Sequence, residues 1–596
     1  MTKFLPISRD DMNKLGRDEL DIIIVTGDAY VDHPSYGSSL IGRVLEDAGF
    51  SVGIIAQPNI NDIEAFKALG RPRLFFGVTA GNLDSMIANY TANIKPRTSD
   101  DYAPGGKGRL RPDRATIIYT NKIKEAFPGV GVVLGGIEAS LRRLAHYDYW
   151  TDAVRRSVLS DSKADILIYG MGERQTVEVA RRVKAGTAIK DISDVPGTTI
   201  IRNSLEGIED YIEIPSFEDI SSDKEVFNKA FAAAYPEFDP VRGKTIVQKH
   251  GSRFVVQLAP AKPLTTEEMD RIYGLPFARA WHPIYNKDGG VPGFETVRFS
   301  ITSHRGCAGE CTFCSLYAHQ GRHIQSRSPE SILDEVKTLA ARHDFKGTVT
   351  DIGGPTANLY ASSCGNWPRT GACRARKCLV PKKCDNLKLG YDVTVDLWRK
   401  ALKIPGVKHI FIGSGLRYDI LIEKYSDKYM QELCSHHISG RLKVAPEHTV
   451  DKVLLMMNKP RFEIYENFSE RFRRINEKLR KKQFLVNYFI SAHPGSTLKD
   501  ALDMAVALAK KRIHPEQIQD FIPLPMTSSG AVYHTGKDPF TGHHIYVARG
   551  RDRTLQRALI QYKDPANKRY VIEALRRLDK MNIMRILYGP KAGNIR

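Results

Sequence analysis

Cys307-Ala-Gly-Glu-Cys311-Thr-Phe-Cys314 decides how this chain is read. Three thiols spaced CxxxCxxC, with an aromatic just before the third, make a compact loop able to hold three corners of a cubane iron–sulfur cluster. A [4Fe–4S] cluster ordinarily takes four cysteine ligands, so three leave one iron open. An open coordination position marks a metal site that does chemistry rather than one that only holds a fold. The competing readings are buried thiols or a zinc knuckle. Structural zinc needs four ligands, and the nearby candidates for a fourth are His304, His319 and His323.

Outward from this loop, residues 295–302 (ETVRFSIT) alternate and are β-rich. They read as a strand delivering Arg305, Gly306 and Cys307 to a loop at its C-terminal end. Ser328-Pro329-Glu330 then opens a helix, with Ser as N-cap and Pro in the first turn. Strand-like runs follow at 347–352, 409–412, 441–445, 485–490 and 517–522. Helical stretches separate them, near 393–404, 423–436, 450–482 (broken near Pro460) and 498–512. Alternating strands and helices predict a parallel sheet, and six units predict a partial (β/α)6 barrel with function at the strand C-termini.

The CxxxCxxC spacing and its aromatic resemble those of the radical S-adenosylmethionine (SAM) superfamily, in which SAM chelates the fourth iron. Gly353-Gly354-Pro355-Thr356 resembles the superfamily's GGE motif, which binds the SAM amino group, with Pro where Glu is common. The glycines still allow close backbone approach. Three later strand ends carry Ser414 in a Gly/Ser turn followed by Arg417, then Lys443 and Glu447, then Gly495. The resemblance implies SAM contacts from Gly353, Gly354, Ser414, Lys443, Glu447 and Gly495. Residues 307–321, GGPTAN, SGLRYD, LKVAPEHT, YFISAHPGST and FIPLPMTSSGAVYHTGKDP closely resemble YgiQ-type radical SAM proteins, as does the opening LPISRDDM. Membership implies a [4Fe–4S] cluster on Cys307, Cys311 and Cys314, and SAM as ligand. It further implies reductive cleavage of SAM to a 5′-deoxyadenosyl radical that takes hydrogen from a substrate, with an electron donor such as flavodoxin or ferredoxin. It implies no particular substrate.

A second cysteine group, Cys364, Cys373, Cys378 and Cys384, lies in a Lys/Arg-rich insertion at 361–390. The insertion leaves the C-terminal end of a strand, so on a barrel it hangs over the active site. Its spacing, C-x8-C-x4-C-x5-C, matches no common zinc ribbon. An auxiliary iron–sulfur cluster, a structural zinc and free thiols all stay open. Cys434, alone on a predicted helix, reads as a small buried hydrophobe.

The N-terminal half shows short apolar strands at 21–25, 52–56, 74–78, 130–134 and 166–169, with helices between them. That is the pattern of a doubly wound α/β domain, whose ligand crevice lies at strand C-termini. Many radical SAM enzymes carry a cobalamin domain of this architecture here. The base-on pattern Asp-x-His-x-x-Gly is not met, because His33 directly follows Asp32 and Gly37 lies four residues on. Base-off binding stays open, and a substrate-capping or scaffold role is preferred. The expected layout is an N-terminal domain (1–211), a bridge of helix and loop (212–292), the radical SAM core (293–545) and a basic C-terminal extension (546–596).

With 42% hydrophobic and 26% charged residues, the composition is that of a soluble globular protein. No apolar run approaches membrane-spanning length, and a signal-peptide pattern is missing at the start. Seven of eight cysteines fall in two metal-like groups, which fits a reducing cytoplasm better than a disulfide framework. A formal charge of +20 keeps RNA or another anionic substrate in view, with basic stretches at 471–482 and after 541. Besides the radical SAM enzyme of unknown substrate, two alternatives stand: an RNA-modifying radical SAM enzyme and a non-catalytic iron–sulfur protein.

Overall fold

The computed structural model describes residues 4–515 and 517–589. Five short runs of branched and aromatic residues, Ile22–Thr26 (β1), Val52–Ala56 (β2), Phe75–Thr79 (β3), Gly131–Leu134 (β4) and Ile166–Ile168 (β5), pair in parallel in the order β2-β1-β3-β4-β5. All five residues of β1 are buried, as a strand covered on both faces requires. This is the expected doubly wound sheet, and its strand order reverses between β1 and β3.

The sheet continues further than expected. Thr198–Arg202 (β6), Tyr211–Ile214 (β7), Thr245–His250 (β8) and Arg253–Gln257 (β9) extend it as β5-β6-β9-β8-β7, antiparallel except at the last pair. Residues 212–292, expected as helix and loop, therefore supply strands to the N-terminal sheet. A hairpin turning at Gly251 (φ +61°) lets Val247 and Val256 join the apolar layer of β1 and β2. The later part of the segment does lead across to the barrel, where Leu264 N donates to Gln325 Oε1 at 3.0 Å.

In the second half Ser300–Thr302 (β10), Thr348–Val349 (β11), Asp351–Gly353 (β12), His409–Ile410 (β13), Arg441–Glu447 (β14), Phe484–Ser491 (β15) and Gln517–Asp520 (β16) pair only in parallel. A parallel Leu416–Val444 bridge links the two groups of strands. The strand expected over 295–302 shrinks to β10. Helix Pro292–Val297 takes the rest, because Pro292 favours a first helical turn and Phe294 buries on that helix. Ser328 caps its helix as expected, accepting from Ser331 N at 3.1 Å. The break near Pro460 separates Asp451–Met456 from Phe462–Leu479.

The basic C-terminal segment is docked, as far as 589; its last residues lie outside the described ones. Helices Arg551–Ile560 and Lys568–Arg577 share an apolar cluster with Leu498–Lys510 through Leu502, Ala505, Leu559 and Leu575. Many of its cations are paired: Arg557 with Asp520, and Arg551 and Arg577 with Glu573. In the other basic stretch Arg471 pairs with Asp427, and Arg473 and Arg474 pair with Glu470. Cys434 is fully buried on helix Asp427–His436. Among the described residues, no helix is long and apolar enough to cross a membrane.

Candidate cluster and cofactor site

The loop of Cys307, Cys311 and Cys314 is pinned from several strand ends. Cys307 N donates to Gly321 O at 3.1 Å, and Cys314 N to Cys311 O at 3.0 Å. From beyond β14, Asn458 Nδ2 donates to the carbonyls of Gly309 and Glu310 at 3.0 and 2.9 Å. Thr312 donates through its hydroxyl to Met456 O at 2.8 Å. Arg417, after β13, lays a guanidinium nitrogen 3.7 Å from Cys311 Sγ. Asp419 holds that guanidinium at 2.7 and 3.1 Å, while Asn358 clamps the Arg417 backbone. Gly309 is dictated by this closeness: a Cβ there would stand 2.5 Å from Arg417 Nη1 and 3.3 Å from Cys307 Sγ.

Burial pushes the Cys307 and Cys314 thiols up, Cys314 to about 12, and the Arg417 charge pulls Cys307 part of the way back. A coordinating metal removes such protons outright. Three sulfurs and one buried cation fit a cluster with a vacant corner, since thiolates hold the irons and a nearby charge tunes them.

The residues expected to contact SAM spread over the neighbouring strand ends. Gly353 and Gly354 end β12 against other chain segments. A Cβ on Gly353 would meet Ser414 Oγ at 2.2 Å, and one on Gly354 would meet His304 Cε1 at 2.6 Å. Ser414 donates to Asp351 Oδ1 at 3.1 Å. Burial raises Asp351, and Lys443 is among the groups that oppose this. Glu447 is buried at φ +66°, 3.8 Å from Lys459 Nζ, and burial raises its carboxyl against Lys459 and Arg417. Gly495 approaches from the far side of Met456, whose carbonyl accepts from Thr312 of the cluster loop. It donates to Tyr546 O at 2.7 Å and packs on Met456. The sequence drew attention to Arg417 but passed over Asp351, Asn358, Asp419 and Asn458. Three lie beside glycine-rich turns or strand ends and Asn458 just past a helix end, signals too common to single them out.

A cavity of about 560 Å³ separates the C-terminal edge of the N-terminal sheet from the barrel. Gly81, Gly136 and Gly170 line one side; Arg305, His319, Gly353 and Gly354 line the other. Its rim is a meeting of three parts of the chain. Arg305 forms a buried ion pair with Glu173 and donates to Tyr273 OH at 2.9 Å, and His319 Nδ1 lies 3.1 Å from Ser140 Oγ. Arg305 Nη2 and Glu173 Oε2 are buried without a hydrogen-bond partner. Burial drops His319 to about 4, so its ring is neutral.

The three histidines near the cluster loop have other partners: His304 with Ser303 Oγ at 2.9 Å, His319 with Ser140, and His323 with Asp239 at 3.7 Å and stacked on Trp367. In the insertion Cys364, Cys373, Cys378 and Cys384 all border one small gap, although they are 9, 5 and 6 positions apart in sequence. Burial pushes Cys378 up to about 12, with Glu310 and the three other thiols adding.

A parallel partial barrel carrying three clustered thiols at the end of its first strand defines a radical SAM protein. Consistent with this, a family model described as Radical SAM N-terminal matches residues 4–300. One for the Radical SAM superfamily matches 301–508, and a domain of unknown function matches 516–584. The chain is 52% identical over 573 residues to a UPF0313 protein of Clostridium botulinum (strain 657 / Type Ba4), covering 96% of this chain and 90% of that one. It is 49% identical over 609 residues to a UPF0313 protein of Methanosarcina acetivorans, covering 98% and 82%. The chain belongs to this UPF0313 family, the YgiQ-type radical SAM proteins. Among solved structures, the cobalamin-dependent SAM radical enzyme OxsB matches at a TM-score of 0.50 and 10% identity, over 98% of this chain and 75% of that one, a likeness of fold.

Proposed function

We propose that this protein is a radical SAM enzyme acting on a substrate held between its N-terminal sheet and its barrel. The observation that carries this is that the cysteine loop runs straight into helix Leu316–Gln320, whose Leu316, His319 and Gln320 line the cavity. Cys307, Cys311 and Cys314 would hold a [4Fe–4S] cluster with an open iron, which would supply the electron for reductive cleavage of SAM to a 5′-deoxyadenosyl radical and hence for hydrogen abstraction from the substrate. The chain's own residues hold and shield. Arg417 offsets thiolate charge, Gly353 and Gly354 let the strand end pack on Ser414 and His304 where it lines the cavity, and Lys443, near enough to Asp351 to oppose its burial, would pair with a SAM carboxylate. The N-terminal sheet caps the cavity and keeps water from a reactive species. The unpartnered atoms of Arg305 and Glu173 are polar anchors for the substrate.

Protein loaded with iron and sulfide without oxygen, given SAM and dithionite, is expected to release 5′-deoxyadenosine and methionine. The combined Cys307→Ala, Cys311→Ala, Cys314→Ala variant is expected to release neither; undiminished cleavage by it would sink the proposal.

The size of the cavity and the neutral ring of His319 favour a second reading, in which a flat cofactor such as cobalamin shares the space with substrate. Hydroxocobalamin titration tests it. A saturable shift of the corrin absorbance supports the reading, and an unchanged spectrum leaves the cavity to substrate alone.

A further inference from the structure

The cysteines of the insertion are not used by the chemistry above, yet the fold brings all four together. The gap they border is also lined by Asn366, Trp367, Arg376, Lys377, Asn386 and Leu387, with no histidine or carboxylate. A donor set of four sulfurs selects zinc or an iron–sulfur cluster. The spacing separates the two: C-x8-C-x4-C-x5-C lacks the paired CxxC-like knuckles that grip zinc, which leaves the cluster.

The surroundings suit a charged cluster. Residues 361–390 contain seven Lys and Arg against one acid, Asp385, and the set of four thiolates is net negative when loaded. Trp367, Leu379 and Leu387 cover the site in an apolar cluster that also takes in Ala308 and Cys307. The two cysteine loops are joined directly. Lys377, beside Cys378, donates to Glu310 Oε1 at 2.8 Å, and Glu310 lies between Cys307 and Cys311. Arg322 at 3.2 Å and Tyr235 OH at 3.1 Å complete the partners of Glu310. The insertion is further held by one two-residue strand pair, the four-residue helix Trp367–Thr370, the stacking of Trp367 on His323, and Ala372 N bonded to Asp239 at 2.7 Å.

We propose that Cys364, Cys373, Cys378 and Cys384 bind a second [4Fe–4S] cluster, saturated by protein and packed beside the SAM-binding loop. With no open iron it cannot take SAM. It staples the insertion over the barrel mouth and, through Lys377, steadies Glu310. The proposal depends on the reading of Cys307, Cys311 and Cys314 only in that the two centres must be told apart.

The test is metal content of the full chain, as isolated and after anaerobic loading with iron and sulfide. Wild type is expected to hold about eight irons and eight sulfides. The combined Cys307→Ser, Cys311→Ser, Cys314→Ser variant should keep about half, with an electron paramagnetic resonance signal that SAM does not change. The combined Cys364→Ser, Cys378→Ser, Cys384→Ser variant should keep the other half, with a signal that SAM does change. Should that variant fail to fold, wild type and the first variant still decide. A first variant without iron, or one holding one zinc per chain through loading, overturns the proposal. If SAM alters neither signal while iron stays near eight, the failure belongs to the SAM-site reading, not to this one.

Discussion

The two cysteine loops of this protein lie side by side and differ by one thiol. The Cys307 loop offers three thiols within eight residues, held by backbone bonds and faced by Arg417. The insertion offers four thiols over 21 residues, faced by Arg376 and Lys377 and covered by Trp367, Leu379 and Leu387. A missing ligand leaves a corner for chemistry, and a complete set leaves none. The first loop is held by backbone and side-chain bonds from the strands around it, whereas on the proposal above a cluster would add to the packing that holds the second.

The comparison can be broken most sharply by single substitutions. Cys311→Ala is expected to remove SAM cleavage altogether, while Cys373→Ala in the insertion leaves a measurable rate. Equal loss from both, read as 5′-deoxyadenosine per turnover, would erase the distinction. Arg417→Ala should lower iron retention or cleavage by about 10- to 100-fold, the usual cost of removing a group that tunes a metal ligand. Partial recovery in Arg417→Lys separates charge from packing.

Smaller effects sharpen the link between the loops. Lys377→Met cuts the tie to buried Glu310 and should cost about 1–3 kcal/mol in urea unfolding. An unchanged midpoint would mean that Arg322 and Tyr235 alone satisfy that carboxylate.

Acid should disturb the two regions at different pH. Burial drops His304, three residues before Cys307, to about 4. Between its ordinary value of 6.5 and about 4 the unfolded chain takes a proton that the folded chain refuses, so this side loses stability as pH falls through that window. Asp239, which holds Ala372 of the insertion, resists burial through His323 and two backbone N–H groups and sits at about 2. Its contribution is present above 3.8 and is lost only as pH falls towards 2. Hydrogen exchange on metal-free protein should show residues around 304 loosening first. The reverse order would contradict these assignments.

Much of this was legible in the chain. Runs of branched residues gave all five core strands of the N-terminal sheet, and the Ser328 cap, the break at Pro460 and the βα alternation were read correctly. Two local misreadings have plain causes. Alternation over 295–302 is also compatible with a short helix once Pro292 starts one. The strands Thr245–His250 and Arg253–Gln257 fell in a segment read as helix and loop, because their pairing needs the distant edge strand Thr198–Arg202 to receive them.

The sequence by itself determined the class of protein, because three thiols at fixed spacing with an aromatic make a local loop whose chemistry does not depend on distant residues. Only the tertiary structure decided what surrounds that loop. The cavity, the Arg305–Glu173 pair, the guanidinium on Cys311 and the meeting of Cys364 with Cys384 join positions from 20 to more than 130 residues apart. Such contacts depend on how strands order in a sheet and which loops share an edge, and spacing along a chain does not encode either.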